Sequence, residues 1–408
     1  MAVAVRNEYE DAAALRALVE RSSELKRRLV DFGQGARFDR WLTPLLLDAA
    51  GPGRQLDEWD AVRIVDDFIL RYRLPDGTTV VDRFVAGQRD LTQDDRAVLL
   101  GWRDPVEGIF EVRRKEGDGV VLLNLLDDLE YRTYSNIGRS AFRGVSAGGF
   151  LLTRLVPLHP VDGVWLVSGV MTPYPKSAAA EIARAALHLA ASQLELVFRD
   201  PEKIEQGWQS MRTDRAAFVD FFGSDELVLP PAEAEDRLNA YRHRPKATTT
   251  APPGRPRGGH LPDHGLPAFE LPPALAEADT LGVIYDEVDG LNFYADYGML
   301  RDLFADPTLP GRSRHQDLLR TYLRDESIAP LPIRRLAAAH PRTVDAVFRK
   351  LLRKPGFTWT EHGEDLLRRR KPRYYEQEPR PGVSVIGDRL GELAAAGTRR
   401  RSTRRRRG

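Results

Sequence analysis

Gly144-Val145-Ser146-Ala147-Gly148 places a serine between two glycines in the spacing G-x-S-x-G, and Gly149 follows. On a strained strand-to-helix turn, small neighbours of this kind let a serine hydroxyl stand exposed beside backbone N–H groups and attack an acyl carbon. Ser146 is the candidate nucleophile, with Asp225, His243 and His340 downstream as candidate partners. The flanks predict another conformation. NIGRSAFR before the motif is not an apolar strand, and FLLTRLVP after it has strand composition, so the glycines fit a turn inside a β-meander.

Over its six residues, 144–149, the string is similar to the GxSAGG of the lipase and esterase group. That resemblance implies a serine hydrolase acting through Ser146, and it extends to no other part of the chain.

A second set of reactive types is acidic and aromatic. Asp286, Asp289 and Asp296 lie among Glu287, Asn292, Tyr285, Tyr294 and Tyr297. Carboxylates gathered in this way can hold a hard cation, share acid and base roles, or bind a polar ligand or peptide. Val288 stands where a calcium-binding loop needs an oxygen, so the spacing favours a solvated hairpin flanked by packing tyrosines. His260, Asp263 and His264 fall in a Pro/Gly-rich stretch where no helix sets the imidazoles on one face, and they are not read as a metal site. No phosphate-binding glycine loop occurs, and neither a cofactor nor a metal is expected.

The third set is basic. Between residues 331 and 371, Arg342, Arg349, Lys350, Arg353, Lys354, Arg368, Arg369 and Arg370 belong to a cationic excess, and TRRRSTRRRRG closes the chain. Two short helices meeting at His340-Pro341, followed by FTWTEHGEDLL, read as helix, turn, helix and wing, or as a small helical bundle with a charged face. In the first reading the helix from Arg342 enters a major groove and the basic wing meets phosphate. The partner expected on this ground is nucleic acid or an anionic surface, with another protein as the alternative.

The elements that must carry these residues follow from apolar spacing. Leu15, Leu18, Val19, Leu25 and Leu29 predict one amphipathic helix over 8–31, and two more follow around Trp41 and Phe68. TTVVDRFV reads as a strand after the Pro75-Asp76-Gly77 turn, and Thr92 with Asp95 reads as a capping box. Short Val-, Leu- and Tyr-rich runs over about 108–169 predict four or five strands. Asp200-Pro201 starts a long helix, ELVLPP is extended, and a small helix covers 231–242. Further helices are predicted at 298–305, 312–324, 331–340 and 342–353.

The expected fold is α+β: a helical N-terminal segment packed on a small antiparallel β-meander or barrel, and a smaller, mainly helical C-terminal domain. The expected divisions are a main domain 1–244, a Pro/Gly-rich linker 245–273, a C-terminal domain 274–371 and a disordered basic tail 372–408. The chain has 408 residues, 61 basic and 60 acidic, for a net charge of +1, so no global field draws it to a polyanion. Lysine is scarce and arginine supplies most of the positive charge, as a GC-rich coding sequence would give. With no cysteine there is no disulfide, thiolate metal site or thiol nucleophile. MAVAVRNEYEDAAAL is unlike a secretory leader, and no apolar run is long enough to span a membrane, so a cytoplasmic location is expected. The functional expectation is a non-enzymatic binding or adaptor protein associated with nucleic acid through its basic C-terminal region. Serine hydrolase and protein-interaction scaffold are the alternatives.

Overall fold

The structure, a computed structural model, describes residues 2–51, 56–159, 163–244, 268–306, 308–309, 312–383 and 385–405. It is mixed α+β. The described residues up to Asp200 and from Ile386 onward form one compact unit, and those from Pro201 to Val385 form the other.

In the first unit, α1 (Ala2–Gly33), α2 (Asp39–Ala50), α3 (Glu58–Leu70), α4 (Val80–Gly87) and α5 (Gln93–Gly101) precede the strands. Their apolar faces meet in one core through Leu25, Leu29, Phe38, Phe68, Ile69, Phe84 and Leu99, joined by Trp102. Helix α4 replaces the strand expected of TTVVDRFV. Thr79 and Asp82 form a full capping box, and Val80, Val81, Phe84 and Val85 are buried along the helix, so capping and burial override β-branched preference. The predicted Thr92–Asp95 capping box is present at α5.

Strands β1 (Val106–Glu116), β2 (Gly119–Asn124), β3 (Glu130–Tyr134), β4 (Phe150–His159) and β5 (Val164–Tyr174) close into a barrel in the order β1-β2-β3-β5-β4. All neighbours are antiparallel except β3 and β5, which run parallel. The strands therefore do not form a simple meander. Val106, Phe110, Leu122, Tyr131, Leu151 and Leu155 pack in one cluster against Trp165 and Val167. Val156, Leu158, Val164 and Leu166, displaced by odd steps along β4 and β5, join the helical core instead. One barrel face is thus covered by helices.

Helix α6 (Ala179–Ser192) contacts β1 and the final helix, Asp388–Arg405. That helix occupies part of the segment expected to be a disordered tail. Leu390 and Leu393, three residues apart, are buried, and the Arg389 guanidinium donates to both oxygens of the buried Glu111 at 2.7 Å. Arginine-rich composition concealed this short apolar face.

The second unit opens with α7 (Pro201–Phe222), β6 (Glu226–Leu229), α8 (Pro231–Arg242) and α9 (Pro273–Ala276). Then come β7 (Leu281–Asp286), β8 (Gly290–Ala295), α10 (Tyr297–Ala305), α11 (Ser313–Arg324), α12 (Leu331–Ala339), α13 (Val344–Leu352), α14 (Trp359–Arg370) and α15 (Pro372–Glu376). The antiparallel sheet has the order β6-β7-β8. Central β7 separates two cores by alternation: Leu281, Val283 and Tyr285 pack with Phe218, Ala234 and Leu238, while Ile284 packs with residues of α10 to α14. Gly282 leaves room for Tyr297, because a Cβ there would stand 2.5 Å from its ring.

The pairing of β6 with β7 moves the expected boundary. Among the described residues the division falls at Asp200–Pro201, and β6 and β7, which lie before and after the Pro/Gly-rich stretch, belong to the same unit. Residues 245–267, His260 and His264 among them, lie outside the described residues. Phe269 and Leu271 pack in the core beside β7, and Asn239 bonds both backbone groups of Phe269. Pro/Gly composition signals a stretch without a core of its own, and the flanking strands are free to pair.

In the first unit, Arg154 and Ser168 face each other across β4 and β5. Both turn toward the helices and meet Asp66 of α3. Arg154 donates to Asp66 at 2.9 Å, Ser168 donates to it at 3.0 Å, and Lys26 of α1 binds both Asp66 and Ser168. Burial alone would raise the Asp66 carboxyl, but Lys26 and Arg154 outweigh it and hold the group below its ordinary value. Because the folded value is depressed, the contribution of Asp66 is present above its ordinary value near pH 4 and is lost as pH falls through the lower folded value. Asp66→Ala leaves Lys26 without its carboxylate, while Arg154 keeps Asp67 at 2.9 Å and Glu107 at 3.1 Å. Urea unfolding is expected to show a loss of up to about 3 kcal/mol at neutral pH, the low end for a broken buried pair, because only Lys26 is left unpaired. That difference from wild type shrinks below about pH 4.

Candidate functional site

The basic stretch acquires a shape at the junction of α13 and α14. Val344, Val347, Phe348 and Leu351 bury one face of α13, and the helix ends at Arg353 in the left-handed region, with φ 55°. The chain then turns, the Phe357 amide donating to the Lys354 carbonyl at 3.1 Å. Arg349 braces this turn, donating to the Phe357 carbonyl at 2.8 Å and to Asp345 at 3.1 Å. Asp345 also accepts from the first amide of α14, that of Trp359, at 2.8 Å. Trp359, Gly363, Leu366 and Leu367 keep helical spacing, and the last three are buried. A helix therefore stands where a wing was expected, and the winged-helix reading is corrected to a helical arrangement.

Between these elements lies a cleft of about 760 Å³. Leu352, Phe357 and Leu366 give it apolar wall, His362 also lines it, and Arg353, Lys354, Arg369 and Arg370 supply positive charge. Arg369 and Arg370 reach it because they follow Leu366 by about one helical turn. Among the described residues no carboxylate stands within ion-pair distance of any of these four cations. Other cations nearby are neutralised: Arg334 pairs with Glu364 at 2.6 Å, and Arg335 bonds both oxygens of Asp225 at 3.1 Å.

The structure thus brings together four of the eight basic residues singled out from sequence. Arg349 is engaged in bracing the turn, and Arg368 lies over the Tyr375 ring at 4.8 Å. Arg342 and Lys350 are exposed but do not line the cleft. His362, which sequence reasoning missed, lines it one turn before Leu366.

Ser146 does not occupy a strand-to-helix elbow. Its carbonyl accepts from Gly149 at 2.9 Å in a turn that leads straight into β4, and Gly148, at φ +76°, donates to Val112 of β1 at 2.8 Å. The glycines serve the turn, and the serine is exposed. Of its candidate partners, Asp225 is held by Arg335 and by Arg215 at 2.6 Å, and the His243 ring contacts the Asn239 carbonyl. His340 ends α12.

The acidic set is likewise committed. Asp286 accepts from the amides of Val288 and Asp289, closing the β7–β8 hairpin, and meets Arg335 at 3.3 Å. Asp289 accepts from the Tyr374 hydroxyl at 2.9 Å, and burial raises its carboxyl above the ordinary value despite that bond. Asp296, in the left-handed region at φ 57°, accepts from the Asp279 amide at the other end of β8. No group of three or more potential metal ligands forms among the described residues.

One perturbed acid was not anticipated. Asp127 is fully buried in the turn after β2, where it accepts from Asn124 at 2.8 Å, the Leu129 amide at 2.9 Å and the Tyr131 hydroxyl at 2.6 Å. Burial dominates these donors and the nearby Arg199, and pushes the carboxyl up to about 6. An aspartate amid leucines, in LLNLLDDL, was the signal that something there needed partners. It does not line the cleft, so its role is in the turn.

Compared with protein-family models, with curated proteins and with solved structures, the chain matches none. The candidate site therefore stands on its own geometry.

Asp127 sets a pH dependence opposite in sign to that of Asp66. Its folded value lies above the unfolded one, so the folded state holds the extra proton and stability falls as pH rises from about 4 to about 6. The difference is roughly 3 kcal/mol. Urea unfolding across this range is expected to show that decline in wild type and a flatter curve in Asp127→Asn, which cannot titrate.

Proposed function

We propose that this chain is a non-enzymatic binding protein of the cytoplasm, and that its second unit holds the phosphate backbone of nucleic acid in the cleft between α13 and α14. The observation that carries the reading is the convergence of Arg353, Lys354, Arg369 and Arg370, without carboxylate partners among the described residues, on a cleft with Phe357 and Leu366 in its wall. Arginine suits phosphate geometry, and cations not already neutralised can be exchanged for counterion release. The exposed ring of His362, which also lines the cleft, can receive an unstacked base, which favours a single strand over a duplex. The absence of cysteine agrees with a reducing compartment. No helix among the described residues is long and apolar enough to cross a membrane.

The test is fluorescence anisotropy of the full chain with single-stranded and duplex DNA and RNA across a salt series. Binding is expected at low salt, strongest to single strands, with log affinity falling linearly in log salt. Replacing the four cations with alanine removes up to four phosphate contacts. The magnitude of the slope should then decrease by about 3, with little change in thermal stability because all four side chains lie at the surface. Absent binding at low salt, or binding that the quadruple variant retains with an unaltered slope, overturns the reading.

A further inference from the structure

A second cleft, of about 480 Å³, lies in the first unit, bordered by α1, α3, the segment after β3, and β5. Its volume is within the range of small-molecule pockets, about 300–1,000 Å³. Most of its wall is apolar, with Val62, Ile137, Leu166, Val170 and Met171 contributing. Two of these residues remain in solvent, Ile137 with 65% and Val62 with 41% of its surface exposed.

Among the described residues, Lys26 is the only charged one lining the cleft. Its ammonium spends two N–H groups on Asp66 and Ser168. The third has no acceptor among the described residues, and the Trp102 ring lies 5.7 Å away without accepting a hydrogen bond. The side chain is 17% exposed, and Ser168, also in the lining, holds its position from the far side of the ion network. An ammonium anchored in this way at an apolar wall is matched to a molecule with one acidic head and a hydrocarbon body. The body covers Ile137 and Val62, and the head takes the remaining proton of Lys26.

We propose that this cleft binds a small amphipathic carboxylate. It rests on no feature of the nucleic-acid cleft, so each reading can fail without the other. Decanoate is the probe, titrated calorimetrically into the full chain. Saturable uptake of one molecule per chain is expected, and decanol, with the same alkyl body and no charge, should bind at least about tenfold more weakly. The double variant Val62→Glu with Ile137→Glu places repelling charge on exposed positions. It is expected to lower decanoate affinity by about tenfold or more while keeping the wild-type thermal transition. Should that variant lose its cooperative transition, Ile137→Ser, which removes only exposed apolar surface, is expected to weaken binding measurably. The proposal is overturned by non-saturating uptake, by equal affinity for decanol and decanoate, or by variants that bind decanoate as wild type does.

Discussion

A small barrel has two faces, and only the inner one is filled by its own side chains. In this protein the outer face of β4 and β5 carries Arg154 and Ser168 opposite each other, and the carboxylate they need is on α3. That need fixes where the helices lie. With Asp66 held by both, Lys26 of α1 adds a second cation that Asp67 and Glu107, also at Arg154, help to offset, and Val156, Leu158, Val164 and Leu166 are then covered by the same helices. Buried charge of this kind contributes little net stability compared with apolar packing, but it is costly to misplace. It therefore specifies register between helical layer and barrel. It also orients the Lys26 ammonium toward the cleft beside it.

The second unit depends on a different device. A three-stranded sheet is too small to stand alone, and alternation along β7 lets it serve two helical cores at once. The core on the α10 to α14 side fixes α13 and α14. Asp345 and Arg349 then tie the turn between them. The cations at the cleft owe their positions to the apolar residues before them: Arg353 ends a helix anchored by Phe348 and Leu351, and Arg369 and Arg370 come directly after Leu366 and Leu367. They also stand at helix C-terminal ends, where positive charge is favoured by the helix dipole, so the geometry that gathers them carries no electrostatic penalty from the backbone.

Much of the element pattern was legible. Capping at Thr92–Asp95, the proline start of α7 and the apolar periods of α10 to α13 are local signals, and the helices appear within a residue or two of the expected positions. Two misreadings have a common origin. In TTVVDRFV, composition suggested a strand while Thr79 and Asp82 encoded a helix start. In the terminal arginine run, charge hid Leu390 and Leu393. In both, residue type was given weight that belonged to spacing. The serine motif was read correctly from its flanks, which indicated a turn among strands. Its spacing matched a catalytic elbow, but an elbow needs a helix immediately after the serine, and here the chain enters β4.

Sequence alone determined the α+β class, the positions of most helices and the location of the basic stretch, because each is set by neighbours within a turn or a strand. It could not show that β3 pairs in parallel with β5, that β6 pairs with β7 across more than fifty intervening residues, or that Asp66 meets Arg154. Those pairings are long-range, and any one of many strand edges and carboxylates could satisfy the same local pattern. Tertiary structure also decided which cations remain without a carboxylate, since that depends on the distance between side chains far apart in the chain. From that choice came the basic cleft of the second unit.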